Sequence, residues 1–268
     1  MKLGFICPNA PGHLNPMTAL ARRLQARNHD IVFLYSSDAA GLPCVPGTEK
    51  DQVDENLPEV SKLQGEDAVE FSLRILMAQT EMILESLPAM VEANGVDALI
   101  IDTVQFYAEL GAMQLGVPYV HVSAALYFDY SGYAPLCLDG WPHQTTPAAL
   151  ARNREGIAKF VKMLNGANSG VKAYAETAGL SIDWENPGST LSPLASITQV
   201  PRAFDFENPE WPSQFHHTGP FHDGKGREKV DFPLRPINWG TTYLCFNGND
   251  IEWPGGCLSH DCSRPGEA

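Results

Sequence analysis

Basic residues are scarce in this chain. Eighteen lysines and arginines stand against 32 aspartates and glutamates, giving a formal net charge of -14. A surface of that sign repels phosphate backbones and anionic lipid headgroups, so nucleic acid and membrane surfaces are poor partners. Long apolar runs are missing too: no stretch approaches the roughly 18 residues that cross a bilayer. The opening Met1-Lys2-Leu3-Gly4-Phe5-Ile6-Cys7 carries one basic residue and an apolar run too short for a secretory signal. A cytoplasmic protein is expected, with Cys7, Cys44, Cys137, Cys245, Cys257 and Cys262 as reduced thiols. Glycine is sparse where a nucleotide fold needs it. Pro8 to Pro16 contains only Gly12, so neither G-x-G-x-x-G nor a P-loop is present. Without convergent backbone amides, dehydrogenase and kinase readings lose their phosphate cradle.

What is present is a strand-helix pattern. Leu3 to Cys7 is a short apolar run ending in the turn Pro8-Asn9-Ala10-Pro11-Gly12. A helix is expected from Asn15 as N-cap and Pro16 as first helical residue, with Met17, Leu20, Ala21 and Leu24 on one face. Ile31 to Tyr35 is the next strand. A helix over Glu66 to Ala93 turns Phe71, Ile75, Ile83 and Leu87 inward. Ala98-Leu99-Ile100-Ile101-Asp102 is a buried strand, a helix follows through Ala108 and Leu115, and Tyr119 to Val122 is a further strand. This is α/β order, a Rossmann-like parallel sheet with helices on both faces. Beyond Tyr127 the pattern weakens, with a helical stretch over Ala148 to Thr177 and short strands at Ser196–Val200 and Phe215–Thr218.

Two residues carry candidate chemistry. His13 follows the first strand, in the loop that opens onto the crevice of such a sheet. An imidazole there suits a general base, because its ordinary pKa is near neutrality. Asp102 stands at the carboxyl end of the Ala98–Ile101 run and would face the same crevice, where a carboxylate can orient the imidazole and stabilise its protonated form. Taken singly, each has a plainer use: His13 as part of the turn, Asp102 as an N-cap.

The run from Pro8 through Pro16 to Leu24 resembles the N-terminal signature of the GT-B UDP-glycosyltransferases, nearest to the bacterial zeaxanthin and macrolide glucosyltransferase branch. The resemblance continues in Asp97 to Asp102, Leu115-Gly116-Val117-Pro118, Ile197-Thr198-Gln199-Val200-Pro201, Phe204-Asp205-Phe206 and His217-Thr218-Gly219-Pro220-Phe221. It implies an acceptor-binding domain over residues 1–233, with His13 deprotonating an acceptor hydroxyl and Asp102 orienting it. It further implies inverting transfer from a UDP-sugar co-substrate, with no cofactor and no metal. Gly12 and Asn15 would touch the substrates. Phe106, Tyr127, Phe128 and Tyr130, with Tyr133 and Trp141, would line a site for an apolar, hydroxylated small molecule. Aromatic clustering suits that role, although core packing is the commoner fate of such side chains.

The family's second domain, which holds the nucleotide-sugar, has no counterpart in this sequence. Residues 234–268 lack periodicity yet hold two of the five tryptophans and three of the six cysteines. Reading the codons from Pro236 one base later explains this. Trp239 before Gly240 must then give glycine, and so must Trp253 before Pro254. Allowed codons over Pro236–Cys262 yield QLTGEPLIYASMGTISNGLEAVFRMIA, which resembles the family's first donor-domain strand. A poorly ordered, frameshifted tail is therefore expected, and the Cys245, Cys257, His260 and Cys262 cluster is not counted as a zinc site. Two other readings stay open: a non-catalytic acceptor-binding module that needs a separate donor subunit, and an unrelated Rossmann-like oxidoreductase.

Overall fold

Strand alternation sets the core. In β1 (Lys2–Ile6), β2 (Asp30–Leu34) and β4 (Ala98–Asp102), successive side chains point to opposite faces of one sheet. Leu3, Phe5, Ile31, Phe33, Ala98 and Ile100 gather on one face with Met17 and Ala21 of α1 (Pro11–Gln25). Ile6, Val32, Leu34, Leu99 and Ile101 gather on the other with Ile83, Leu87 and Val91 of α2 (Gly65–Asn94). Strands apolar on both faces are what a parallel sheet covered by helices requires. Each fully buried Leu or Ile contributes about 1.5–3 kcal/mol.

The computed structural model describes residues 1–47 and 58–225, all within the unit Met1–Arg227. The expected tail from Leu234, with its cysteine cluster and the boundary after 233, lies outside the described residues. Among the described residues the sheet has seven strands in the order β3-β2-β1-β4-β5-β6-β7, every pair parallel. The remaining strands are β3 (Cys44–Val45), β5 (Tyr119–Ser123), β6 (Ser196–Thr198) and β7 (Phe215–His217). Further helices are α3 (Glu109–Leu115), α4 (Pro147–Ala167) and α5 (Ser169–Thr177). A third cluster joins Leu73, Met77 and Leu84 of α2 to Leu110, Phe160, Leu164 and Val171 on the other helices.

Four expectations need correction. Helix α1 begins at Pro11, with Ala10 as N-cap, so His13 stands in its first turn and not in a preceding loop. Pro11 supplies the fixed φ of a first helical residue, and Ala10 O accepts from the backbone N–H of His13 and Leu14 at 2.9 Å. Pro16 is then tolerated inside the helix. In α2, Ile83 and Leu87 are buried as expected, but Phe71 and Ile75 are only half-buried; Leu73, Met77 and Thr80 take the inward face there. The helix expected over Ala148–Thr177 is two helices. The backbone turns at Asn168, whose carbonyl accepts from Lys172 N–H and opens α5. Both short strands stop early, the first at Thr198, whose Oγ1 accepts from Val200 N–H and turns the chain out of the ladder.

Candidate active site

The sheet order reverses between β1 and β4. Chains leaving those neighbouring strands go to opposite faces, and the gap between them is where an open α/β sheet binds ligands. His13 stands just after β1 and Asp102 is the last residue of β4. Alternation puts Asp102 on the face of Ala98 and Ile100, which is the face α1 covers. His13 Nδ1 lies 2.8 Å from Asp102 Oδ2, with the aspartate side chain fully buried and the histidine 21% exposed. Asp102 Oδ1 accepts from Val104 N–H at 3.2 Å. Both carboxylate oxygens are therefore engaged, which offsets the cost of burying the charge. A carboxylate only accepts, so Nδ1 carries the proton and Nε2 presents its lone pair. That is the tautomer a base needs.

The surroundings of the pair narrow the chemistry. Burial, and secondly the charge of Asp102, pushes the Cys7 thiol up, so it stays protonated and does not compete as a nucleophile. Gly12 is exposed, and nothing lies within 4 Å of where its Cβ would be, so the histidine has open space beside it. Asn15 is half-buried on the same helix, its carbonyl accepting from Thr18 Oγ1 at 3.0 Å. Among the described residues, no three His, Cys, Asp or Glu side chains gather to hold a metal ion.

Two further histidine–carboxylate pairs escaped sequence reasoning. His121 Nδ1 accepts from Ser192 N–H at 3.0 Å, and its Nε2 lies 3.5 Å from Glu109 Oε2. Thr190 donates to the other oxygen of Glu109, and all four residues are buried. His217 Nε2 lies 2.8 Å from Asp205 Oδ2, which also accepts from Tyr127 OH at 3.0 Å. Both ring nitrogens of His121 are thus engaged, and Nε2 of His217 is held by Asp205. The reversal point belongs to His13 and Asp102 alone of the three pairs.

The aromatic residues divide. Phe106 and Phe128 meet edge-on at 5.2 Å, Phe128 stacks on Phe160 at 5.3 Å, and Tyr130 stacks on Phe128 at 6.2 Å. These rings pack with the third helix cluster. Tyr127 sits apart against Phe215, ring centroids 4.8 Å away. The four residues share a space of only about 40 Å³. Tyr133 faces His143, and Trp141 lies under the guanidinium of Arg152 at 4.9 Å; neither lines that space. A larger cavity of about 230 Å³ lies elsewhere, between the ends of β1 and β2, α2 and the chain after β4. Its walls include Cys7, Asn9, Tyr35, Met82, Ile83 and Gln105. Sequence offered one signal for them: Asn9 falls in the Pro8–Pro16 run and Gln105 follows closely on Asp102.

No family model matches the chain. The zeaxanthin glucosyltransferase of Pseudescherichia vulneris is 26% identical over 223 residues, covering 80% of this chain and 53% of that protein. The zeaxanthin glucosyltransferase of Pantoea ananas is 26% identical over 229 residues, covering 81% and 52%. The chain thus spans about half the length of the curated relatives it matches. Among solved structures, the glycotransferase of kitacinnamycin superposes with a TM-score of 0.54 at 18% identity, over 90% of this chain and 55% of that one. The spinosyn forosaminyltransferase superposes with a TM-score of 0.50 at 16% identity, over 82% and 50%. At such identities these two show the fold alone. The chain is similar in sequence to the zeaxanthin glucosyltransferases over about half their length, and its parallel α/β fold is that of about half of each of these two solved glycosyltransferases.

Proposed function

We propose that this domain is the acceptor-binding, base-bearing half of an inverting, UDP-sugar-dependent glycosyltransferase acting on a hydroxyl of a small, apolar molecule. The observation that carries the reading is the 2.8 Å contact between His13 Nδ1 and Asp102 Oδ2 at the point where the strand order reverses. An alcohol is a weak nucleophile until a positioned base takes its proton. His13 Nε2 accepts that proton as the acceptor oxygen bonds to the anomeric carbon. The bond from that carbon to UDP breaks, and UDP leaves with the electron pair. Attack opposite the leaving group inverts the centre, and Asp102 stabilises the imidazolium that forms. No cofactor enters this step.

The donor is a separate matter. The single glycine between Pro8 and Pro16 gives no amide cradle for a pyrophosphate. We assign the UDP-sugar to a donor domain beyond the described residues or on a separate subunit, and we assign the protein a cytoplasmic setting. Little or no turnover is expected from the 268-residue chain by itself. The test is UDP release from UDP-glucose with a panel of hydroxylated acceptors, with and without an added donor domain, for the native chain and His13→Ala. Release that depends on the donor domain and on His13 supports the reading.

The same lack of a phosphate cradle favours a second reading, a non-catalytic module that only holds the acceptor. Thermal stabilisation by acceptor but not by UDP-sugar, with no release under any condition, distinguishes it.

A further inference from the structure

After the edge strand β7 the chain turns back across the ends of β6 and β5 to reach α1. Thr218 N–H and Oγ1 both donate to Thr198 O at 3.0 Å, and Phe221 N–H donates to Gln199 Oε1 at 3.4 Å. Gln199 Nε2 donates in turn to Ala124 O, just past β5. Phe221 is 7% exposed and belongs to the core cluster that holds Met17 and Ala21 of α1. Two residues further on, Asp223 Oδ2 accepts from Arg22 Nη1 at 3.0 Å, 201 residues away in sequence. The segment Thr218–Asp223 is thus a strap tied at both ends.

Arg22 has a second partner. Its Nη2 donates to Ala40 O at 2.8 Å. Ala40 lies in the turn after β2, where Tyr35 and Ala40 both have positive φ, 61° and 53°. In that region Cβ crowds the following carbonyl oxygen, so neither residue rests there by preference. Such backbone persists where its surroundings hold it. Here Asn9 Nδ2 holds Tyr35 O at 3.0 Å, and Arg22 holds Ala40 O. Tyr35 and Ser37 of the same turn form part of the wall of the 230 Å³ cavity.

We propose that Arg22 is a coupling residue, through which the strap after β7 holds the strained turn after β2 and, with it, one wall of the cavity. A guanidinium is a planar fork whose donors point in fixed directions, so an ion pair on one arm aims the other. Both partners are well shielded from water, with the Arg22 side chain 16% and the Asp223 side chain 18% exposed. Displacing the strap removes Asp223, frees the guanidinium and lets the turn relax out of its positive φ. Linkage makes the coupling reciprocal: whatever steadies the turn steadies the strap. No step of it depends on sugar transfer.

Amide hydrogen exchange of the full chain, without ligand, provides the test. Leu42 reports on the turn, because its N–H donates to Ala39 O at 3.1 Å. Leu99, whose N–H donates to Pro118 O at 2.9 Å in mid-sheet, is the reference. Asp223→Ala is expected to speed Leu42 exchange by about tenfold or more, the low end for a hydrogen bond to a charged group, and to leave Leu99 unchanged. Arg22→Ala should do the same. Asp223→Ala added to Arg22→Ala should then change the Leu42 rate by less than about twofold, since the two act through one contact. A Leu42 rate unmoved by Asp223→Ala, or accelerated equally with and without Arg22, overturns the coupling. So does acceleration of Leu99 by the same factor as Leu42, which would mean a loss of overall stability.

Discussion

His13 Nδ1 and Asp102 Oδ2 stand 89 residues apart in sequence and meet at 2.8 Å, one from the helix after β1 and one from the end of β4. Neighbouring parallel strands bring them together, since Ile6 pairs with Ile101 one residue before Asp102.

The contact fixes the tautomer of the imidazole, and that can be measured without any substrate. The ¹⁵N shifts of His13 in its neutral form are expected to show the proton on Nδ1 and a bare Nε2. Asp102→Asn offers an amide that can donate to Nδ1, which favours the opposite tautomer. A spectrum unchanged by Asp102→Asn would mean that the pair does not hold the ring.

Alkaline pH should unfold the domain early. Burial pushes Tyr35 and Tyr119 up to about 12, raises Tyr107, Tyr127 and Tyr130 as well, and raises Cys7. In an unfolded chain tyrosine ionises near ~10 and cysteine near ~8.5. Above those values the folded state keeps protons that the unfolded state has lost, so stability falls as pH rises. Below about pH 8 both states are protonated and these groups add no slope. Urea midpoints are expected to drop steadily between about pH 9 and 11, with tyrosinate absorbance at 295 nm appearing together with unfolding. Full tyrosinate absorbance from a chain still folded near pH 10 would contradict this.

The packing of α2 against α3 gives a sharper prediction. A Cβ on Gly111 would lie 2.5 Å from Leu87 Cδ2, and Leu87 is fully buried with no room to turn. Gly111→Ala should cost about 1–3 kcal/mol from overpacking, and Leu87→Ala about 2–5 kcal/mol from the cavity. The double variant should lose less than the sum, because each change relieves the other. Strict additivity in a denaturant titration would show that the two side chains do not share that space.

The reading of the tail is settled at the level of DNA. The gene is expected to continue, one base out of register from about Leu234, into codons for a donor domain of the GT-B type. A next frame without that sequence contradicts the expectation.

Much of this fold was legible because its signals are local. β1, β4 and β5 are apolar runs, and α2 ends on Gly95, whose φ of 59° is the left-handed cap that glycine supplies. Two prolines, Pro11 and Pro16, compete for the start of α1, and pattern alone chose the wrong one. β3, only Cys44 and Val45, is too short to leave a period and exists through its pairing with β2. Within the site, His13 and Asp102 could be named because each follows a strand. The fate of Phe128 could not, because its stacking partner Phe160 arrives on a helix 32 residues later.

The measurement that tests the central claim most directly joins residues 1–233 to the donor half of the Pantoea ananas relative and follows UDP release from UDP-glucose with hydroxylated acceptors. A positioned general base is worth about 10²–10⁴-fold. The account predicts acceptor-dependent release that falls by at least about 100-fold in His13→Ala and is strongly reduced in Asp102→Asn. Release at the same rate in the native graft and in His13→Ala would contradict it.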